Sequence, residues 1–570
     1  MLNMTSPEQA TRMTGPEHAP GGRSQRVRRF LGRRRYTLSG LVGATLFFCA
    51  SVTPSLLPRG WVFQGVISGL LAATGYGLGV LITWLARWVS GRPALPAPGG
   101  TARRVLSAAA VVLIVVFCWL GSGWQHDIHR LMGLAPPPRG GYVLVVLLAA
   151  LLFAALVGTA RLLRRATRAL SRLLGRGMAA PAARALGVIV VVALIVGVGN
   201  GVVLQGLFGA ADRTFAAVNG ETSPGVAAPG SPDRSGGPGS AVSWASLGNQ
   251  GRSFIGGGPS VAELEGFSGT PAMSPIRVYA GLDSAPGTRE RAELVVRELE
   301  RTGGFSRRVL CVIVTTGSGW VNAQGVDPLE YLYNGDTALA SMQYSYLPSW
   351  ISFLVDAERA REAGRELFDA VYRVWSRLPV DRRPLLLVFG ESLGSFGAET
   401  AFSGSGDMRN RVDGMLLVGP PSSNTLWREF TADRDPGTRQ VLPGYEGGET
   451  IRFAADPAAD LVNPPTAWGR PRVVYLQHAS DPITWWSPRL ALRRPDWLDE
   501  PRGGDVLPAM RWYPFVTFWQ VTADMAVAGG APAGHGHNYG AAPVAAWAQI
   551  APPDGWSAER TAALTGLMAR

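Results

Sequence analysis

The chain has no lysine. All 54 of its basic residues are arginine, so positive charge comes only as the planar guanidinium, which stays protonated. Cysteine is scarce: Cys49, Cys118 and Cys311 are an odd set with no paired spacing, which excludes a disulfide framework or a thiolate metal site. Charge of either sign is also low, at 17% of 570 residues against 47% hydrophobic. That balance is foreign to a wholly soluble protein and directs the search to membrane spans. The net charge of +13 argues for nucleic acid only if basic residues form a face interleaved with aromatics. Instead they sit beside apolar runs, which argues against nucleic acid and suits membrane topology.

Apolar runs occupy Thr37–Leu57, Trp61–Leu85, Val105–Leu120, Tyr142–Ala160 and Leu186–Phe208. Each approaches the ~20 residues that cross a bilayer core, and together they predict about five transmembrane helices. Arginines crowd the N-terminal tail (Arg23 to Arg35), the second connection (Arg87, Arg92, Arg103, Arg104) and the fourth (Arg161 to Arg184). The intervening loops carry Arg59, then Arg130 and Arg139. The positive-inside rule puts the tail in the cytoplasm, and five spans put everything after Phe208 outside. The first span lacks a small-x-small cleavage site and reads as a retained anchor. None of the spans has Asp, Glu or Lys at mid-depth, where carriers and pumps keep an ionisable group; they read as an anchor or lipid-access module. The loop Gly121–Gly141 holds His126, Asp127 and His129, which make no closed metal shell, and reads as interfacial. Neither a metal nor a cofactor is expected.

The domain plan is a basic tail over 1–36, a membrane domain over 37–210, a Gly/Pro/Ser-rich linker over 211–275 and a soluble half over 276–570. In the last, short apolar runs alternate with helical patterns. Strands are expected at Ile276 onward, Val309–Thr315, Leu385–Phe389, the run VDGMLLV and Val473–Gln477. Such alternation predicts a mostly parallel sheet covered on both faces, with ligands at the carboxyl ends of its strands.

The run LLLVFGESLGSFGAETAF, Leu385 to Phe402, places Ser392 directly after a buried strand and before a helix, inside G-E-S-L-G. In a chain with 72 glycines those five letters mean little by themselves; the strand-turn-helix setting gives them the sense of a nucleophile elbow. Gly390 and Gly394 suit its crowding. A serine nucleophile needs a base, and His478, His535 and His537 are the histidines of this half. In the order Ser, Asp, His, Asp481 in LQHASDPITWW is the acid and His535 or His537 in APAGHGHNYG the base, the Gly-His-Gly setting pointing first to His535. Asp481 also reads as an ordinary Asp-Pro turn. The oxyanion hole falls to the N–H of Leu393 and to Gly317 and Ser318 in the loop after the second strand. The aromatic segments YLYNGDTALASMQYSYLPSW and WYPFVTFWQ suit either an acyl site or the core.

Five N-terminal spans together with TPSLLPRG (Thr53–Gly60), YSYLPSWISFLVD (Tyr344–Asp356), GESLGS and GHGHNYG resemble the actinobacterial-type membrane-anchored alpha/beta-hydrolase family. The resemblance covers roughly residues 35–560. It implies an N-terminal all-α transmembrane domain followed by an α/β hydrolase fold, with the serine, acid and histidine falling on Ser392, Asp481 and His535 or His537. The expected activity is that of a serine hydrolase, outside the cytoplasmic membrane, on an ester of a membrane or envelope lipid such as an acylated or aminoacylated phospholipid. Two alternatives stay open: an acyltransferase using the same residues on an envelope lipid or sugar, and a non-enzymatic membrane protein on a hydrolase fold.

Overall fold

The computed structural model describes residues 36–91, 99–176, 217–347 and 357–570, with isolated positions between 179 and 191. Among these residues four helices come first: α1 (Leu38–Ser51), α2 (Trp61–Ser90), α3 (Gly100–Leu131) and α4 (Gly141–Leu174). The last three are long and apolar enough to cross a membrane. With 14 residues, α1 rises only about 21 Å, and the proline-containing turn TPSLLPRG leads into α2. Helices α1 and α2 meet backbone to backbone. A Cβ on Gly43 would lie 2.2 Å from the Gly75 carbonyl oxygen, and one on Gly79 2.2 Å from that of Ser39. In lipid, where burial of apolar surface does not drive helices together, such close approach through small residues supplies the packing. The third span is much longer than expected. Its helix runs through His126, Asp127 and His129, so these are not in a loop; the two histidine Nδ1 atoms bond to carbonyls one turn back, Ser122 O at 2.7 Å and Gln125 O at 2.6 Å. The expected fifth span, Leu186–Phe208, lies almost wholly outside the described residues.

The stretch expected to be a linker is, from residue 217, folded against the sheet. It forms α5 (Gly248–Gly256) and α6 (Val261–Ser268), and Arg234 bridges Arg277 of the first strand in parallel. Two of its glycines serve close contact: a Cβ on Gly251 would lie 2.5 Å from the Tyr279 ring, and one on Gly258 2.1 Å from Arg277 Nη2. The fully buried Arg277 guanidinium ties this stretch to the fold. It donates to Glu330 Oε1 (2.8 Å) and Oε2 (2.6 Å), to Asp327 Oδ1 (2.6 Å) and to Phe254 O (2.9 Å).

A seven-stranded sheet follows. Its strands are β1 (Ile276–Ala280), β2 (Val309–Val314), β3 (Thr337–Met342), β4 (Leu385–Glu391), β5 (Gly414–Val418), β6 (Ile451–Ala454) and β7 (Arg472–Leu476). They lie in the order β1-β3-β2-β4-β5-β7-β6, every neighbouring pair parallel. Runs such as VLCVIV and GMLLV are buried throughout, as a sheet covered on both faces requires. Strands β3 and β6 were not expected from the sequence. Among the described residues, the helices of seven or more residues that follow β1 are α7 (Thr288–Thr302), α8 (Ala323–Leu332), α9 (Ala357–Trp375), α10 (Leu393–Glu399), α11 (Ser405–Arg411), α12 (Thr425–Ala432), α13 (Val516–Met525), α14 (Ala542–Ile550) and α15 (Ala558–Met568).

After β2 the chain steps to one side, and after β4 to the other. The carboxyl ends of β2 and β4, with Val314 beside Gly390, therefore flank the crevice where strand order reverses, which is where open parallel sheets bind ligands. The membrane part docks on this α/β unit: Leu56, Leu57, Ile128 and Met132 are buried in one cluster with its core.

Candidate active site

Ser392 follows β4 and opens α10. Its backbone is at φ 55° and ψ −123°, a region that costs a non-glycine residue about 1–3 kcal/mol and persists where the surroundings enforce it. The surroundings here are tight. Ser392 N–H donates to Val418 O at 2.8 Å, extending the β4–β5 pairing, and its own carbonyl accepts from Ser395 N at 2.9 Å. A Cβ on Gly390 would sit 2.5 Å from Gly394 O, and one on Gly394 2.3 Å from Val314 O. Both glycines are thus required by close backbone approach. Ser392 itself is half-buried while its neighbours are buried, so the turn presents the hydroxyl at the crevice.

Asp481 lies past the carboxyl end of β7 and is fully buried. It does two jobs. Its Oδ1 accepts from Ile483 N at 2.9 Å, capping the short Pro482–Trp485 turn of helix, which is the Asp-Pro role anticipated above. Its Oδ2 accepts from His537 Nδ1 at 2.7 Å and from the Tyr539 hydroxyl at 2.8 Å. The histidine that reaches Asp481 is therefore His537, and the sequence-based preference for His535 is reversed. The reason lies in Gly536, at φ 56°. Its N–H donates to Ser480 Oγ at 2.8 Å and its carbonyl accepts from His478 Nδ1 at 2.9 Å. Gly536 thus faces the loop after β7 and hands the next residue, not the previous one, to Asp481. His535 instead begins a turn closed by Asn538 N–H to His535 O at 3.1 Å.

With Nδ1 donating to Asp481, His537 Nε2 is left as the acceptor; it is buried and has no partner among the described residues. The ring packs over the end of β5, where a Cβ on Gly419 would lie 2.5 Å from His537 Cε1. Ser392 is hydrogen-bonded to that same strand end, so the structure brings Ser392, Asp481 and His537 to one end of the sheet. Burial lowers the His537 pKa, but the negative charges of Asp481 and Glu391 outweigh it and hold the imidazole above its ordinary value. Glu391 is itself buried, which raises its carboxyl, while His537 and a hydrogen bond from Asn322 Nδ2 at 2.8 Å act the other way. Neither Glu391, Tyr539 nor Asn322 was singled out from the sequence. A glutamate ending an otherwise apolar strand was the available signal for the first.

The loop after β2 lies against the elbow. Gly319 N–H donates to Thr316 O at 2.9 Å, Tyr279 hydroxyl to Gly319 O at 2.8 Å and Gln343 Nε2 to Ser318 O at 2.9 Å. These bonds fix the loop while the amides of Gly317 and Ser318 make no backbone hydrogen bond among the described residues. Leu393 N–H, the first of α10, likewise has no place in the helical ladder. The arrangement offers a hydroxyl on a strained turn, an oriented imidazole and unengaged amides.

Comparison with known proteins agrees with this architecture. No curated protein and no solved structure matches the chain. A family model described as "Alpha/beta-hydrolase family N-terminus" matches residues 52–259. The model described as "Alpha/beta-hydrolase family" matches residues 276–564, more than half of the sequence, and the chain belongs to that family.

Proposed function

We propose that the protein is a membrane-anchored serine hydrolase that cleaves an ester of a membrane lipid. The observation that carries the reading is the His537–Asp481 pair, 2.7 Å apart, set with its free Nε2 at the strand end that holds the Ser392 elbow. Ser392 Oγ attacks the ester carbonyl carbon as His537 Nε2 takes the hydroxyl proton. Asp481 holds the tautomer and stabilises the imidazolium. The N–H groups of Leu393 and of the Gly317–Ser318 loop bind the oxyanion. The tetrahedral intermediate collapses, the alcohol leaves with the proton from His537, and an acyl-serine remains. Water, deprotonated by the same Nε2, then attacks the acyl carbonyl and releases the carboxylic acid.

The lipid part rests on a groove of about 460 Å³ between α1, α2, α3 and the segment Tyr513–Val516. Its walls include Leu46, Phe47, Ala50, Leu113, Phe117 and Phe515, and its size falls among ordinary ligand sites. The two aromatic segments separate here. The first runs through β3 and, up to Leu347, is buried except for the half-buried Asn334, Asp336 and Tyr346. In the second, Tyr513 and Phe515 line the groove and Trp519 is exposed. The α/β unit docks on the loop after α1 and on the end of α3, the arginine-poor side of the membrane part. By the positive-inside rule that side is extracytoplasmic, the side on which the five spans expected from the sequence would also leave it. Tethering raises the effective concentration of any ester in the same bilayer.

The test is a fluorophosphonate probe on the full chain in nanodiscs. Labelling of wild type and none of Ser392→Ala is expected; labelling that survives the substitution ends the serine assignment. For the lipid, Ala50→Trp is expected to slow long-chain esters and spare short ones, and equal rates on both would remove the groove from the reaction. Product analysis with an acceptor alcohol separates hydrolysis from acyl transfer.

A further inference from the structure

The chemistry above uses only residues of the α/β unit, yet the loop that carries His537 leans on the membrane part. In the turn between α1 and α2, Thr53 to Leu57 and Arg59 are buried, although polar groups here would be free to face water at a membrane surface. They converge on the last turn of α13. Asp524, fully buried, accepts from the Ser55 hydroxyl, from Leu56 N–H at 3.1 Å and from Arg59 Nε at 2.8 Å. Arg59 Nη2 donates to Gln520 O at 2.9 Å, and Gln520 Nε2 donates back to Thr53 O at 3.0 Å. The arginine's own N–H is held by Gln125 Oε1 of α3 at 2.9 Å.

From Asp524 the chain turns at once into the histidine loop. Val527 N–H donates to Asp524 O at 3.1 Å, and Ala528 O accepts from His537 N–H at 3.1 Å. A second contact comes from the same membrane turn: a Cβ on Gly536 would lie 3.1 Å from Leu57 Cδ2 and 2.8 Å from Ala531 Cβ. Gly536 is the residue whose two backbone bonds set which histidine reaches Asp481. Its outer side is closed by a leucine of the membrane domain.

We infer that the turn Thr53–Arg59 between the first two membrane helices is a positioning element of the active site: Ser55 and Arg59 through Asp524, and Leu57 through Gly536, hold the histidine loop in register on Asp481. The α/β unit then depends on its membrane domain for catalysis as well as for location. The inference rests on the assignment of His537 as the base.

The experiment uses the full chain in nanodiscs and a short, water-soluble ester, so that access from the bilayer plays no part. Arg59→Ala and Leu57→Ala are compared with wild type, with Arg59→Lys, and with Arg130→Ala, an exposed α3 residue paired with Asp127. Arg59→Ala and Leu57→Ala are expected to lower kcat at least tenfold at unchanged KM and to move the pH midpoint of kcat downward, as the bond that raises His537 loosens. Arg59→Lys recovers part of kcat, because an ammonium can meet Asp524 without also reaching Gln520 O. Arg130→Ala stays at wild type. Where Arg59→Ala does not fold, Leu57→Val, one methylene shorter, decides: a several-fold loss with a shifted midpoint supports the inference. Folded variants with wild-type kcat and midpoint per labelled serine would overturn it and leave the turn a simple anchor. A wild-type chain that takes up no fluorophosphonate overturns the underlying hydrolase reading instead.

Discussion

Replacing Asp481 by asparagine tests the site at its most constrained point. The carboxylate receives four donors: His537 Nδ1 at 2.7 Å, Tyr539 hydroxyl at 2.8 Å, Ile483 N–H at 2.9 Å and Thr484 Oγ1 at 3.4 Å. An amide of the same shape has one acceptor oxygen and one donor nitrogen, so it must fail one side. With its nitrogen toward Ile483, two donors face each other at the helix cap, and the oxygen left for His537 carries no net charge to stabilise an imidazolium. With its nitrogen toward His537, Nδ1 must become the acceptor and the proton moves to Nε2, which then cannot take the Ser392 proton. The second arrangement keeps the cap and is favoured. A wrong tautomer of this kind lowers kcat by roughly 10⁴ in serine proteases, equivalent to a barrier about 5.5 kcal/mol higher. The expected result for Asp481→Asn is a fall of about 10³–10⁴ in kcat on a short ester, with the fold retained by circular dichroism. A folded variant within tenfold of wild type would refute the argument and reduce Asp481 to a cap.

Three further perturbations probe separate parts of the structure. In the proposed mechanism His537 works as a base only when neutral, and Asp481 and Glu391 hold it above its ordinary pKa. Wild-type kcat should therefore rise with pH through a midpoint above about 6.5, and Glu391→Gln should move that midpoint down; an unchanged pH profile would show that Glu391 does not act on His537. For Gly394→Ala, the new Cβ would lie 2.3 Å from Val314 O and 3.1 Å from Thr315 O, both backbone atoms of the neighbouring strand end. Loss of fluorophosphonate labelling is expected, and full labelling would mean that the elbow relaxes. Glu330→Gln removes one carboxylate from the buried Arg277, at a cost of about 3–5 kcal/mol. That is a fall in Tm on the order of 10 °C, read by thermal denaturation, and no change would show that Asp327 alone suffices.

What the sequence disclosed follows from how local each feature is. Strand β4 and its elbow were legible because LLLVF is a continuous buried run and the glycines obey a steric rule acting within five residues. The place of Asp481 was legible because it comes shortly after β7. Strand β3, TALASM, was not: alanine and serine carry little strand preference, and the segment is a strand because β1 and β2 hydrogen-bond it from both sides. Strand β6 has four residues, one of them the buried Arg452. Residues 217–275 have the composition of a linker, yet Gly251 and Gly258 among them admit Tyr279 and Arg277, which lie downstream in the sequence. The two histidines share one local context. The choice between them is made by Ser480 and His478, more than fifty residues earlier, acting on Gly536.

The polar contact between membrane turn and α13 raises a question of energetics. A buried ion pair such as Arg59–Asp524 recovers its desolvation penalty only with good geometry and full hydrogen bonding, and well-packed apolar residues would often be as stable. Stability alone is then a poor reason for its presence. Orientation is a better one. Next to a bilayer, apolar surface on the α/β unit can be covered by lipid as readily as by the membrane helices, so an apolar contact would define neither partner nor angle. Asp524 instead accepts from the Ser55 hydroxyl, the Leu56 amide and the Arg59 guanidinium together. Those donors are fixed by one short turn and cannot be supplied by hydrocarbon. A small rotation of the unit would leave a buried carboxylate and a buried guanidinium without partners, which costs several kcal/mol. The penalty for misalignment, more than the gain on docking, keeps Leu57 against Gly536 and His537 against Asp481.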